Sequence, residues 1–119
     1  MRNAELPALK TGRTPEPPYY AVIFTSKRTV VDQGYGKMSE RMVELAQQQP
    51  GFLGMDSARG EDGIGITVAY WKDEVSIKAW KSNLEHLEAQ EQGRKKWYEC
   101  YQVRVAKVER AYGFETRNK

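Results

Sequence analysis

Three side chains able to give or take protons or hydrogen bonds, His86, Gln90 and Arg94, are spaced four residues apart in a stretch that otherwise reads as helical. At about 100° per residue that spacing stacks them on one ridge of a helix. A wheel over residues 78–98 puts Glu85, Glu88, Lys78, Lys81, Gln92, Lys95 and Lys96 on the wet half. The other half holds Trp80, Leu84, Leu87, Trp97 and Tyr98, and with them Asn83, His86, Gln90, Glu91 and Arg94. Polar groups on an inward stripe need partners. Two readings follow. The ridge ties the helix to its neighbours, or it lines a ligand pocket between that helix and a sheet, walled by Trp71, Trp80, Trp97, Tyr101 and Phe24, as apolar pockets with a few convergent polar groups are built.

Other chemistries find less support. One histidine and one remote cysteine, Cys100, give no metal-ligand spacing. Cys100 has no histidine near it in sequence to activate it and reads as a small buried residue. The glycines of "GYG" (34–36) and "GEDGIG" (60–65) lack the strand-to-helix context of nucleotide-binding loops.

The elements that must carry these groups follow from composition and pattern. The 119 residues are 39% hydrophobic and 11% aromatic, which fits one folded domain. A net charge of +3, with both signs interspersed, is no nucleic-acid footprint. The single cysteine fits a reducing compartment, with the cytoplasm as the default location. No apolar run approaches the roughly 20 residues that cross a bilayer.

Residues 1–18 hold four of the five prolines and read as an extended N-terminal arm, with residues 115–119 as a C-terminal tail around a domain of 19–114. "YYAVIFTSK" predicts a first strand over 19–26. Tyr35, Met38, Met42 and Leu45 predict an amphipathic helix that stops at Pro50-Gly51. "GEDG" marks a hairpin between two further strands. Along the second of these, Gly65, Thr67, Ala69 and Trp71 face one way and Ile64, Ile66, Val68 and Tyr70 the other. Residues 73–98 predict a second helix with a break near Ser82-Asn83, and 99–110 a last strand.

The order is βαββαβ, an α+β ferredoxin-like arrangement with two helices on one side of four antiparallel strands. Tyr20, Val22 and Phe24 share one face of the first strand, and the opposite residues Ala21, Ile23 and Thr25 are also far from polar. Helices cover only one face, so the other is expected to meet a second copy in a homodimer.

This element order, together with "YWKDEVSIKAW", "HLEAQEQGRKKWYE" and "YQVRVAKVERAY", resembles the antibiotic biosynthesis monooxygenase family over residues 19–114. The resemblance implies a dimeric α+β barrel and one of two activities. The first is cofactor-independent oxygenation of a small aromatic or quinol-type compound. There His86, with an unperturbed pKa near neutrality, would serve as base, Asn83, Gln90 and Arg94 would steady the oxyanion, and the aromatic rings would stack on the substrate. The second is haem binding or degradation. Trp80 matches that group's tryptophan, but Gln90 stands where its histidine is expected and the first strand offers Ile23, Phe24, Thr25 and Ser26 in place of an asparagine. A dimeric metabolite-binding module without catalysis is the third reading.

Overall fold

The computed structural model describes residues 15–30, 34–91 and 97–114, with the backbone alone for 85–91. The element order is β1 (Tyr19–Arg28), α1 (Tyr35–Gln47), β2 (Phe52–Arg59), β3 (Ile64–Trp71), α2 (Glu74–Glu91) and β4 (Tyr98–Val108). The strands form one sheet in the order β2-β3-β1-β4, every neighbouring pair antiparallel. This is the ferredoxin-like α+β fold expected from the sequence.

The registers stack the side chains of one face into transverse rows. Met55, Ala69, Val22 and Val105 form one row, read from β2 across β3 and β1 to β4. Ser57, Thr67, Phe24 and Val103 form the next, and Arg59, Gly65, Ser26 and Tyr101 the one beyond. The helices pack on the Met55 row and on the end marked by Trp71. Ala46 of α1, Trp80 of α2, Ala69 and Trp71 are buried together, with Val22, Leu45, Phe52, Met55, Ile77 and Leu84 against them. Trp71 is fully buried, 5.9 Å from Trp80 in a near-parallel stack and edge-on to Phe52 at 5.3 Å.

Local chemistry fixes the element ends. Gly34, at φ +78°, precedes α1, where a left-handed backbone favours glycine. Asp73 opens α2 by accepting hydrogen bonds from the Ser76 amide and hydroxyl, each 2.8 Å. Those two bonds, the backbone one first, hold the Asp73 carboxyl below the usual carboxylate range. Gly51, at φ +86°, brings the chain so close to this turn that an added Cβ would lie 2.0 Å from the Ser76 hydroxyl. The "GEDG" turn forms as expected, with the Gly60 amide donating to Ile64 O at 2.9 Å and Gly63 at φ +85°.

Three details differ from the sequence reading. α2 runs through Ser82-Asn83 without a break, because both residues are exposed and the Asn83 amide donates outward to Gln49 Oε1 at 3.0 Å instead of competing for the helix backbone. Helical periodicity through Trp97 and Tyr98 is replaced at Tyr98 by the start of β4. Cys100 is exposed, not buried, because β4 is an edge strand. The expected arm lies almost wholly outside the described residues, as does the tail.

Candidate active site

Beyond the Met55 row, the helix-side face of the sheet opens. Tyr101 and Val103 are each 46% exposed, although of their neighbours on β1 Ser26 is buried and Phe24 partly buried. Aromatic rings gather around this open half. Phe24 lies 5.2 Å from Tyr101 and 5.5 Å from Tyr98. Tyr98 continues the contact to Tyr35, the first residue of α1, at 5.9 Å between rings, and Tyr35 to Trp97 at 5.9 Å. Edge-to-face geometry dominates, the arrangement favoured by ring quadrupoles.

Hydrogen bonds hold this wall in place. The Tyr98 hydroxyl donates to the Tyr35 hydroxyl at 3.2 Å. Thr29 N and Arg28 Nε both donate to Trp97 O, at 2.8 and 3.2 Å, which fastens the start of β4 to the end of β1. The Arg28 guanidinium sits 3.5 Å from the Tyr35 ring centre, a cation–π contact. Trp97 is buried with Met38 against Tyr35, Met42 and Leu45, so α1 leans on the wall from behind.

The β2 and β3 side of the open half is polar. Ser57 and Thr67 share a hydrogen bond of 2.8 Å between hydroxyls. Arg59 reaches across β3, donating from Nη1 to Gly63 O and from Nη2 to the Ser26 hydroxyl at 2.8 Å. Ser26 is the buried polar side chain of β1. This open surface is therefore hydroxyl- and guanidinium-bearing on one side and aromatic on the other.

The residues singled out by sequence divide into four sets. Phe24 and Tyr101 meet in the open half, and Trp97 backs its wall. Trp71 and Trp80 stack in the core under α1, and the buried Trp71 Nε1 has no hydrogen-bond partner among the described residues. Asn83 faces Gln49. His86 and Gln90 lie on the C-terminal half of α2 with side chains outside the described set, and Arg94 lies outside the described residues. Among the described residues no three His, Cys, Asp or Glu side chains converge as metal ligands would. Sequence reasoning missed Tyr35, Tyr98 and Arg59. Tyr98 was masked by its helical spacing, whereas Arg59 could have been found from its alternation with Ser57 and Met55 opposite the glycine at position 65.

On the opposite face the Tyr70 hydroxyl donates to Asp56 Oδ2 at 3.0 Å, and Tyr19 packs edge-on to Tyr70 at 5.8 Å. Burial first, and then Asp56, push the Tyr70 phenol up to about 12. Ile64 and Ile66 on this face remain about half exposed.

A four-stranded sheet under two helices, with an open aromatic surface at one end of its helix-side face, defines the class of small α+β proteins to which solved structures compare. The fold is similar to SnoaB, a cofactor-independent oxygenase from Streptomyces nogalater, with a TM-score of 0.60 at 14% identity over 87% of this chain and 97% of that one. It is also similar to PA3566 from Pseudomonas aeruginosa, with a TM-score of 0.53 at 15% identity over 82% and 99% of the two chains. Residues 32–92 match the model of the antibiotic biosynthesis monooxygenase family, and the chain belongs to that family. It is 56% identical over 104 residues to the uncharacterized protein YqjZ of Bacillus subtilis, covering 87% of this chain and 91% of the relative. Among the described residues no helix is long and apolar enough to cross a membrane.

Proposed function

We propose that the protein is a cofactor-independent monooxygenase of a small aromatic phenol or quinol, held in the half-open cleft between the sheet and α2. The observation that carries this reading is the pairing of Phe24, Tyr98 and Tyr101 on one side of the cleft with the hydroxyls of Ser57 and Thr67 on the other. Such a surface binds a flat ring by its face and a ring hydroxyl by its edge. Family membership and the likeness to a cofactor-independent oxygenase support the same class of reaction.

In this reading His86 takes the phenolic proton, since a base that titrates near neutral pH serves best. The electron-rich anion reduces dioxygen as a new C–O bond forms at a ring carbon. Loss of water then leaves a quinone carbonyl, so that one oxygen atom stays in the product and the other departs as water. The substrate supplies all the electrons. Gln90 and Arg94 stabilise the anion. Asn83 gives one of its two amide hydrogens to Gln49 Oε1, which leaves the second for the same task.

The haem alternative does not fit as well. Trp80 is packed into the core against Trp71 rather than facing the cleft, and β1 presents Ile23, Phe24, Thr25 and Ser26 with no asparagine. A haemin titration followed by absorbance tests it. A saturable Soret shift lost in His86→Ala would replace the oxygenase reading with haem binding. The chain acts as a homodimer through the face bearing Ile64, Ile66 and Tyr70, in the reducing cytoplasm where the exposed Cys100 thiol stays free. Sedimentation at micromolar concentration tests the assembly, and a clean monomer would refute it.

A further inference from the structure

Arg59 is held in a way that its neighbours do not explain by charge. Its guanidinium crosses β3 over Gly65, where a Cβ would lie 2.6 Å from Cζ, so only a glycine lets it lie there. At the end of that reach it donates to the buried Ser26 hydroxyl, and its other anchor is the Gly63 carbonyl. Both acceptors are neutral. A guanidinium has five N–H donors, and these bonds use two, leaving three. Neither the Arg59 row nor the Ser57 row contains a carboxylate. Asp56 belongs to the opposite face with Tyr70, Asp62 of the turn accepts from the Ile64 amide at 3.0 Å, and Glu99 is engaged by Lys27 at 3.8 Å. A fixed cation without an acid partner among the described residues thus borders the aromatic cleft, one row from Phe24 and in the same row as Tyr101.

We propose that Arg59 is a specificity-determining residue that binds a carboxylate carried by the aromatic ligand, so that the preferred substrates are hydroxyaryl carboxylates rather than neutral phenols. The inference rests on the reading of the cleft as the ligand site. The aromatic side receives the ring while the free edge of the guanidinium takes the carboxylate through charge-assisted hydrogen bonds. Gly65 and Ser26 are positioning residues: one makes room for the guanidinium and the other fixes its direction.

Calorimetric titration with 1-hydroxy-2-naphthoate and with 1-naphthol tests this on the full chain. The wild-type protein is expected to bind the carboxylate at least about tenfold more tightly than 1-naphthol, the scale of one hydrogen bond to a charged group. Arg59→Gln should remove that preference, bringing the affinity for the carboxylate down to that for 1-naphthol. Gly65→Ala, which keeps the arginine and displaces it, should do the same. Equal affinities in the wild type, or a preference that survives both substitutions, would overturn the role of Arg59 and leave the cleft as the ligand site. If neither probe binds, the ligand site and the role of Arg59 both fall.

Discussion

The Phe24 ring lies 5.2 Å from the Tyr101 ring, tilted by 31°, across the junction of β1 and β4. One ring is partly buried and the other nearly half exposed, so the pair marks where the core gives way to an open aromatic surface. Two strands paired along ten registered positions position it.

Tyr101→Ala should therefore affect ligand more than fold. Its exposed ring contributes little to stability, and the loss expected is about 1 kcal/mol or less. Calorimetric affinity for 1-naphthol should fall by about tenfold while the thermal midpoint moves by only a few degrees. An unchanged affinity would take Tyr101 out of the cleft's function.

Trp80 has the opposite character. It is buried on α2 and stacked on Trp71, with Ala46 of α1 in the same cluster. Trp80→Ala should cost about 3–5 kcal/mol, the range for large aromatic truncations in cores. Urea unfolding would report it as a lowered midpoint with the same slope. A variant as stable as the wild type would mean that the ring is not part of the core.

Tyr70 makes alkaline stability testable. Its phenol is pushed up from 10.0 to about 12, by burial first and by Asp56 second. The folded state thus holds this proton more tightly than the unfolded state. The resulting stability is fully present below pH 10 and is lost as pH rises from 10 through 12. Tyr70→Phe should flatten that alkaline decline in a pH series of thermal midpoints. At neutral pH it should cost about 1–3 kcal/mol, because Asp56 loses its hydroxyl donor while its other oxygen is already buried without one among the described residues.

Much of the fold was legible in the sequence because alternation and turn chemistry are local signals. The faces of β3 are those read from Gly65, Thr67, Ala69 and Trp71 against Ile64, Ile66, Val68 and Tyr70, and the registers with β1 and β2 follow from them. The candidate site was legible only in part. Trp71 and Trp80 are large aromatics beside polar residues, and composition cannot tell a pocket wall from a core stack. What separates them is that α1 places Ala46 against this pair, a contact between elements far apart in the chain. Tyr98 was drawn into the helix by its spacing from Leu84 and Leu87, although its strand partner on β1 decides otherwise. Arg59 was legible only in part: alternation with Ser57 and Met55 gives its face, but its reach over Gly65 on the next strand to Ser26 on the one beyond belongs to a register that only the folded sheet reveals.

The most direct test of the oxygenase reading is turnover of 1,5-dihydroxynaphthalene under ¹⁸O₂ by protein purified without added metal or haem, with His86→Ala in parallel. The account predicts a quinone product carrying one ¹⁸O atom, formed above the spontaneous rate. In His86→Ala the rate at neutral pH should fall by about 100-fold or more, the contribution of a general base. Product formation at the spontaneous rate, an incorporated oxygen derived from water, or an undiminished rate in His86→Ala would contradict it.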